Sequence, residues 1–258
     1  MNLEKHLRQR RDSGQKLLVP YLMAGASDDW LDTIRHIAAS GADAIEVGIP
    51  FSDPMIDGPV IQQASKAALE RGTTPEGAMR ELAAIDIDIP IVVMTYYNLV
   101  FRAGSRRFAS NLAACGVSGA IIADLPLEEA TEWCEEADSQ GIATVLLVAP
   151  TTPDERASRI CSRSRGFVYG ISTMGVTGER SELANTAIQT AKRLKRLTDL
   201  PVCIGIGVST PQQAAEVCAE ADGVVVGSAL VRRLLDGAGP DGAGEFVASL
   251  RSGIDGVH

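Results

Sequence analysis

Eight short apolar, β-branched runs recur along the chain with helix-like segments between them, and few architectures accept that alternation. The runs are LLVPYLM (17–23), AIEVGI (44–49), IPIVVMTY (89–96), GAIIAD (119–124), ATVLLVA (143–149), GFVYGIS (166–172), PVCIGIG (201–207) and ADGVVVG (221–227). Most are continuous rather than alternating, which suits parallel strands covered on both faces. Between them, DWLDTIRHIAAS (29–40) sets Trp30, Ile34, Ile37 and Ala38 on one helical face and stops at Gly41. LEEATEWCEEADSQ (127–140) does the same with Leu127, Ala130, Trp133, Cys134 and Ala137, stopping at Gly141. Segments 60–71, 105–115, 154–164, 184–198 and 211–220, and one opening at 75, follow the same spacing.

This pattern predicts one (β/α)8 TIM barrel over residues 1–258, close to the usual size of about 250 residues. A charged N-terminal helix in MNLEKHLRQRRDSGQK (1–16) precedes it, and an enlarged loop follows strand two. The other candidate is a doubly wound open sheet, against which stand the unbroken alternation and the lack of GxGxxG after the first strand. Only GAGPDGAG (237–244) has the composition of a linker, and it is read as the lead-in to the last helix. A net charge of −9 and a pI near 4.9 argue against a broadly basic surface for nucleic acid or anionic membrane. Five scattered cysteines without a CxxC pair read as free thiols of a reducing cytoplasm, and His6, His36 and His258 are too dispersed for a zinc triad. With neither a signal peptide nor an apolar run of about 18 residues, the expected location is cytoplasmic.

The longest interval between strands, from 49 to 89, begins with PFSDPMIDGP and contains the chain's sharpest chemical signal. Glu46 sits inside an apolar strand, so if Ile45 and Val47 face the helices it points into the barrel. A carboxylate there costs several kcal/mol unless it is paired, hydrogen-bonded or protonated. It is either a structural glutamate with satisfied oxygens or a general acid/base tuned by desolvation. Asp53 and Asp57 follow among Pro50, Pro54, Gly58 and Pro59, where each alone suits a turn or a helix cap. Together with Glu46 they put three carboxylates at one strand's C-terminal end. Gly175 with Gly178, Gly205 with Gly207, and Gly227 with Ser228 read as phosphate contacts. The last two pairs follow strands seven and eight, where barrels commonly bind phosphate, and Ser228 is placed to open a short helix. In TYYN (95–98), Tyr96 or Tyr97 lines a pocket or fills core, and Asp124 is either a pocket group or a helix cap.

EVGIPFSDPMIDGPVIQ (46–62) closely resembles the signature of the tryptophan synthase alpha chain family. PYLMAG (20–25), TYYNLVF (95–101), the strand ending at Asp124, STMGVTGER (172–180), IGIGVSTPQQ (204–213) and VVGSALV (225–231) resemble its other blocks in order. The resemblance implies retro-aldol cleavage of indole-3-glycerol phosphate to indole and glyceraldehyde 3-phosphate, with no cofactor in this chain. It implies that Glu46 moves protons at indole C3 and the glycerol hydroxyl, while Asp57 accepts a hydrogen bond from the indole N–H. Tyr169 is expected beside Glu46, with Tyr21, Ile61, Met94, Tyr96, Asp124 and Thr177 as further substrate contacts. Gly178, Gly207, Gly227 and Ser228 are expected to bind phosphate. A pyridoxal-phosphate-dependent beta chain is the implied partner in an alpha2-beta2 assembly, facing the loop that holds Pro50, Asp53, Pro54, Met55 and Ile56. Ile56 departs from the family's usual small residue and stiffens this loop. Gly25-Ala26-Ser27 stands where Gly-Asp-Pro is common. A stand-alone indole-releasing lyase and a catalytically silent subunit that activates a beta chain are the alternative readings.

Overall fold

Side-chain alternation gives each strand an inner and an outer face, and that division builds the core. The computed structural model describes residues 1–171, 180–205 and 207–257. Its strands are β1 (Leu17–Met23), β2 (Ile45–Gly48), β3 (Ile91–Thr95), β4 (Gly119–Ile122), β5 (Ala143–Thr144), β6 (Leu146–Val148), β7 (Val168–Ile171), β8 (Val202–Gly205) and β9 (Gly223–Val226). They run in the order β5-β4-β3-β2-β1-β9-β8-β7-β6, and every pair is parallel. β5 and β6 are halves of one run interrupted at Val145. The first half pairs with β4 and the second with β7, so that run joins the two ends of the sheet. Nine segments therefore make the expected (β/α)8 barrel.

The helices are α1 (Leu3–Asp12), α2 (Trp30–Ala39), α3 (Pro59–Glu70), α4 (Pro75–Leu82), α5 (Tyr97–Ala103), α6 (Ser105–Ala114), α7 (Thr131–Ser139), α8 (Asp154–Arg163), α9 (Arg180–Leu197), α10 (Pro211–Cys218), α11 (Ser228–Leu235) and α12 (Gly239–Ile254). No described helix is long and apolar enough to cross a membrane. Outward-facing Leu18, Leu22, Ile45, Val47, Ile91 and Val93 join Trp30, Ile34 and Ile37 of α2 in the layer between strands and helices. Inward-facing Leu17, Val19, Val92, Ile121, Val145, Phe167, Cys203 and Val225 fill the barrel, with Leu3 and Leu7 of α1 closing its N-terminal end. Of the five cysteines, all free, Cys115 is half-buried and Cys134, Cys161, Cys203 and Cys218 are buried.

Three local readings are corrected. GAGPDGAG is largely helix, because α12 starts at Gly239 with Pro240 in its first turn. Gly244 there lies against α2, where an added Cβ would meet Ser40 Oγ at 3.0 Å. Segment 127–140 is not one helix; a 3₁₀ turn over Leu127–Glu129 precedes α7, with Ala130 N–H bonded to the Leu127 carbonyl. Helix α5, directly after β3, has no counterpart in the sequence reading. It is seven residues long, and its first N–H is capped by a distant side chain, Asp124, so neither periodicity nor a local cap announces it.

At the barrel's N-terminal end the buried carboxylates are paired. Asp43 is fully buried; it accepts from Arg10 Nε at 2.7 Å, Arg251 Nη1 at 3.0 Å and the Leu18 amide at 2.8 Å. Asp222 does the same work before β9, accepting from Lys195 Nζ at 2.7 Å and the Val202 amide at 2.8 Å.

Candidate active site

At the other end of the strands the polar groups are left open. In β2, Ile45 and Val47 face the helix layer, so Glu46 points inward, level with Tyr21 of β1 and Val92 of β3. Glu46 is 1% exposed, and its Oε2 has no hydrogen-bond partner among the described residues. Burial, and then the nearby charge of Asp57, push its carboxyl up to about 8. It is therefore mostly protonated at neutral pH, a carboxylic acid with a proton to give and an oxygen free to receive one.

Two tyrosines share this chamber. Tyr21 is buried and Tyr169 half-buried, and burial holds both phenols well above their ordinary range, with the Glu46 charge adding to the shift. Glycine makes their placement possible. A Cβ on Gly48 would collide with the Tyr21 hydroxyl, and one on Gly205 would lie 2.6 Å from the Tyr169 hydroxyl. Gly205, read from sequence as a phosphate contact, makes room for an aromatic ring. Ile61 and Met94 join Tyr21 in an apolar cluster with Val231.

Asp57 closes the loop that follows β2, and it is half-buried. Its Oδ2 accepts from the Tyr96 hydroxyl at 3.0 Å, while that hydroxyl oxygen accepts from the amides of Ile56 at 3.1 Å and Asp57 at 3.2 Å. Burial raises the Asp57 carboxyl above its usual value, and the Tyr96 hydrogen bond opposes the rise. Gln62 Nε2 donates to the Asp57 carbonyl at 2.8 Å, and Ser65 Oγ bonds both Phe51 N and Phe51 O at the loop's other end. Pro50 is buried and Pro54 half-buried, while Asp53 is exposed and bonded to Ser52 Oγ at 2.6 Å. Met55 is 91% exposed and Ile56 44%. Asp53 and Asp57, alike in sequence, thus part company: one faces solvent and the other joins the chamber.

Asp124 is a helix cap, but of another helix than its own. Its Oδ1 accepts from the Tyr97 amide at 2.6 Å and so caps α5, while α7 begins seven residues further on. It also lines a cavity of about 380 Å³ with Ile56, Ile122, Leu125, Leu147 and Arg156. A larger hollow of about 530 Å³ lies outside the barrel between α7 and α8. Neither Glu46 nor Asp57 lines it, so size alone does not locate the chemistry.

Half-buried Gly227 precedes α11 and exposed Ser228 opens it, so the first amides of that helix lie at the end of β9. Gly207 has φ +73°, and among the described residues no atom beyond its chain neighbours lies within 4 Å of where its Cβ would be. Its glycine is favoured by backbone conformation. Gly175, Thr177 and Gly178 lie outside the described residues. Among the described residues no group of three His, Cys, Asp or Glu could hold a metal ion. The sequence reading did not single out Phe51, Gln62, Ser65 or Gly48; only the glycine two residues after Glu46, on the same inward face, could have been noticed.

Residues 7–246 match the family model described as tryptophan synthase alpha chain. The tryptophan synthase alpha chain of Thermobifida fusca is 42% identical over 98% of this chain and 97% of its own length. That of Halorhodospira halophila is 43% identical over 98% and 96%. Among solved structures, a tryptophan synthase chain from Mycobacterium tuberculosis superposes with a TM-score of 0.89, at 39% identity and 98% coverage of both chains. The alpha subunit from Legionella pneumophila str. Paris gives 0.90, at 32% identity and 100% coverage of both. With barrel, inward glutamate and loop aspartate all in place, the chain belongs to the tryptophan synthase alpha chain family.

Proposed function

We propose that residues 1–258 form one catalytic unit that cleaves indole-3-glycerol phosphate to indole and glyceraldehyde 3-phosphate, the alpha reaction of L-tryptophan biosynthesis. The observation that carries this reading is Glu46, a buried acid with an oxygen unpartnered among the described residues and a carboxyl that burial pushes up to about 8. Protonated Glu46 gives its proton to indole C3, and positive charge develops at the ring nitrogen. Asp57 accepts the ring N–H and stabilises that charge. The Glu46 carboxylate then takes the proton of the glycerol hydroxyl on the carbon attached to C3. As that O–H electron pair becomes the aldehyde C=O, the carbon–carbon bond breaks and its electrons restore the indole ring. One residue gives and recovers one proton, so the cycle balances without a cofactor in this chain.

Tyr21, Ile61, Met94, Tyr96 and Tyr169 form the walls around the indole, with Asp124 as a further contact and Thr177 assigned to the substrate by resemblance to the family. Gly178, Gly207, Gly227 and Ser228 receive the phosphate, for which the amides at the start of α11 and the positive φ of Gly207 are suited. The partner is a pyridoxal-phosphate-dependent beta chain in an alpha2-beta2 assembly, docking on the loop from Pro50 to Ile56. Exposed Met55 and Ile56 supply apolar surface for that contact.

Purified chain incubated with indole-3-glycerol phosphate, with and without a beta chain, should release indole in both cases and faster in the complex. A folded chain that releases none in either mixture would overturn the reaction. Release without acceleration or complex formation would make it a stand-alone lyase.

A further inference from the structure

The hydrogen-bonding at Tyr96 leaves its hydroxyl one possible orientation. A phenol oxygen offers one donor and two acceptor sites. Both acceptor sites are occupied by backbone amides, of Ile56 at 3.1 Å and Asp57 at 3.2 Å, and an amide N–H cannot accept. Among the described residues the hydroxyl proton has one remaining acceptor, Asp57 Oδ2 at 3.0 Å. All three bonds land on two consecutive residues of the loop, from a side chain 39 positions away at the end of β3.

The anchor is itself fixed. The Tyr96 ring stacks on Phe51 with centroids 5.1 Å apart and planes at 25°. Phe51 is held through its backbone by Ser65 at 3.0 and 2.9 Å. Tyr96 also precedes the first residue of α5, whose amide Asp124 caps. On Asp57, Tyr96 occupies Oδ2, while Oδ1 has no hydrogen bond among the described residues and remains for a ligand N–H.

We propose that Tyr96 is the positioning residue of Asp57: its hydroxyl orients the carboxylate so that Oδ1 meets the indole nitrogen. This rests on the reaction assigned above. It goes beyond Tyr96 as a pocket wall, because a wall needs the ring alone whereas positioning needs the hydroxyl.

The test is Tyr96→Phe, which keeps the ring and its stacking. A lost hydrogen bond to a charged group should lower kcat roughly tenfold to a hundredfold. KM should change little, since the charge at the ring nitrogen develops only during reaction. The Tyr96 bond holds the Asp57 carboxyl down. Its loss should therefore move the acid limb of kcat/KM to higher pH, and ¹³C NMR titration of Asp57, assigned with Asp57→Asn, should show the same upward move. The NMR reading needs no turnover, so it separates failure of this proposal from failure of the assigned reaction. An unshifted Asp57 titration would overturn the positioning role, as would an unchanged acid limb with kcat within about twofold. Phe51→Leu, which loosens the ring but keeps the hydroxyl, should give a smaller shift in the same direction and serves if Tyr96→Phe does not fold.

Discussion

Asp43 and Glu46 lie three residues apart, are both essentially excluded from water, and have opposite electrostatic surroundings. Asp43, below the strands, receives two arginines and a backbone amide. Glu46, on the inner face of β2, has one oxygen with no partner among the described residues. A buried carboxylate that is fully satisfied holds elements together, here α1, β1 and α12 around the start of β2. One left unsatisfied costs stability and gains a proton, and that is useful only where a proton must move. The approach to β2 and the inner face of that strand thus separate what stabilises the barrel from what makes it reactive.

Replacing Glu46 by Gln is the largest way to test this contrast. Indole release should fall roughly 10²–10⁴-fold, because shape is kept and the transferable proton is lost. Stability should move the other way. Glu46 binds its proton more tightly folded than unfolded, so the native protein loses stability as pH rises from the ordinary value of 4.5 through about 8. Glu46→Gln should remove that decline, seen as a flatter Tm against pH over the window. The wild-type enzyme should accordingly lose kcat/KM as pH rises through about 8. A variant that loses stability and keeps turnover would invert the comparison.

Asp43→Asn should show the complementary pattern. Removing the carboxylate strands Arg10 and Arg251 beside a buried site, a change of about 3–5 kcal/mol against folding by urea denaturation. kcat/KM per folded molecule should stay within about twofold. If turnover falls in proportion to stability, the two sites are not separable.

The smallest expected effect is at the phosphate end. Gly207→Val forces a β-branched residue to φ +73°, and it should weaken glycerol 3-phosphate about tenfold while an indole analogue without phosphate changes less. Equal weakening of both, in isothermal titration, would mean that strain reaches the whole pocket.

The sequence makes the strands legible because parallel strands covered on both faces read as apolar runs, and it makes Glu46 legible because a carboxylate interrupts one of them. What it hides is set by contacts across the chain. Asp53 and Asp57 lie in one proline-punctuated loop, and it is Asp57 that Tyr96, 39 residues away, bonds through its hydroxyl. Helix α5 has too few residues to show a period, and its cap lies 27 residues downstream. Gly205 and Gly207 close the same apolar run, yet one accommodates Tyr169 and the other a positive φ. Glycine-rich 237–244 resembles a linker by composition, whereas Gly244 serves close approach of α12 to α2.

The plug at the barrel's N-terminal end has a kinetic consequence. Leu3 and Leu7 of α1 seat in a core made by strands along nearly the whole chain. Glu4 accepts from the Gly166 amide, and Arg8 reaches Asp199, contacts spanning 162 and 191 positions. Helix α1 cannot lock until β7 and the region after α9 are in place, however early it becomes helical. Docking of the plug should therefore belong to the last phase of refolding, and loops of that length make it a slow one.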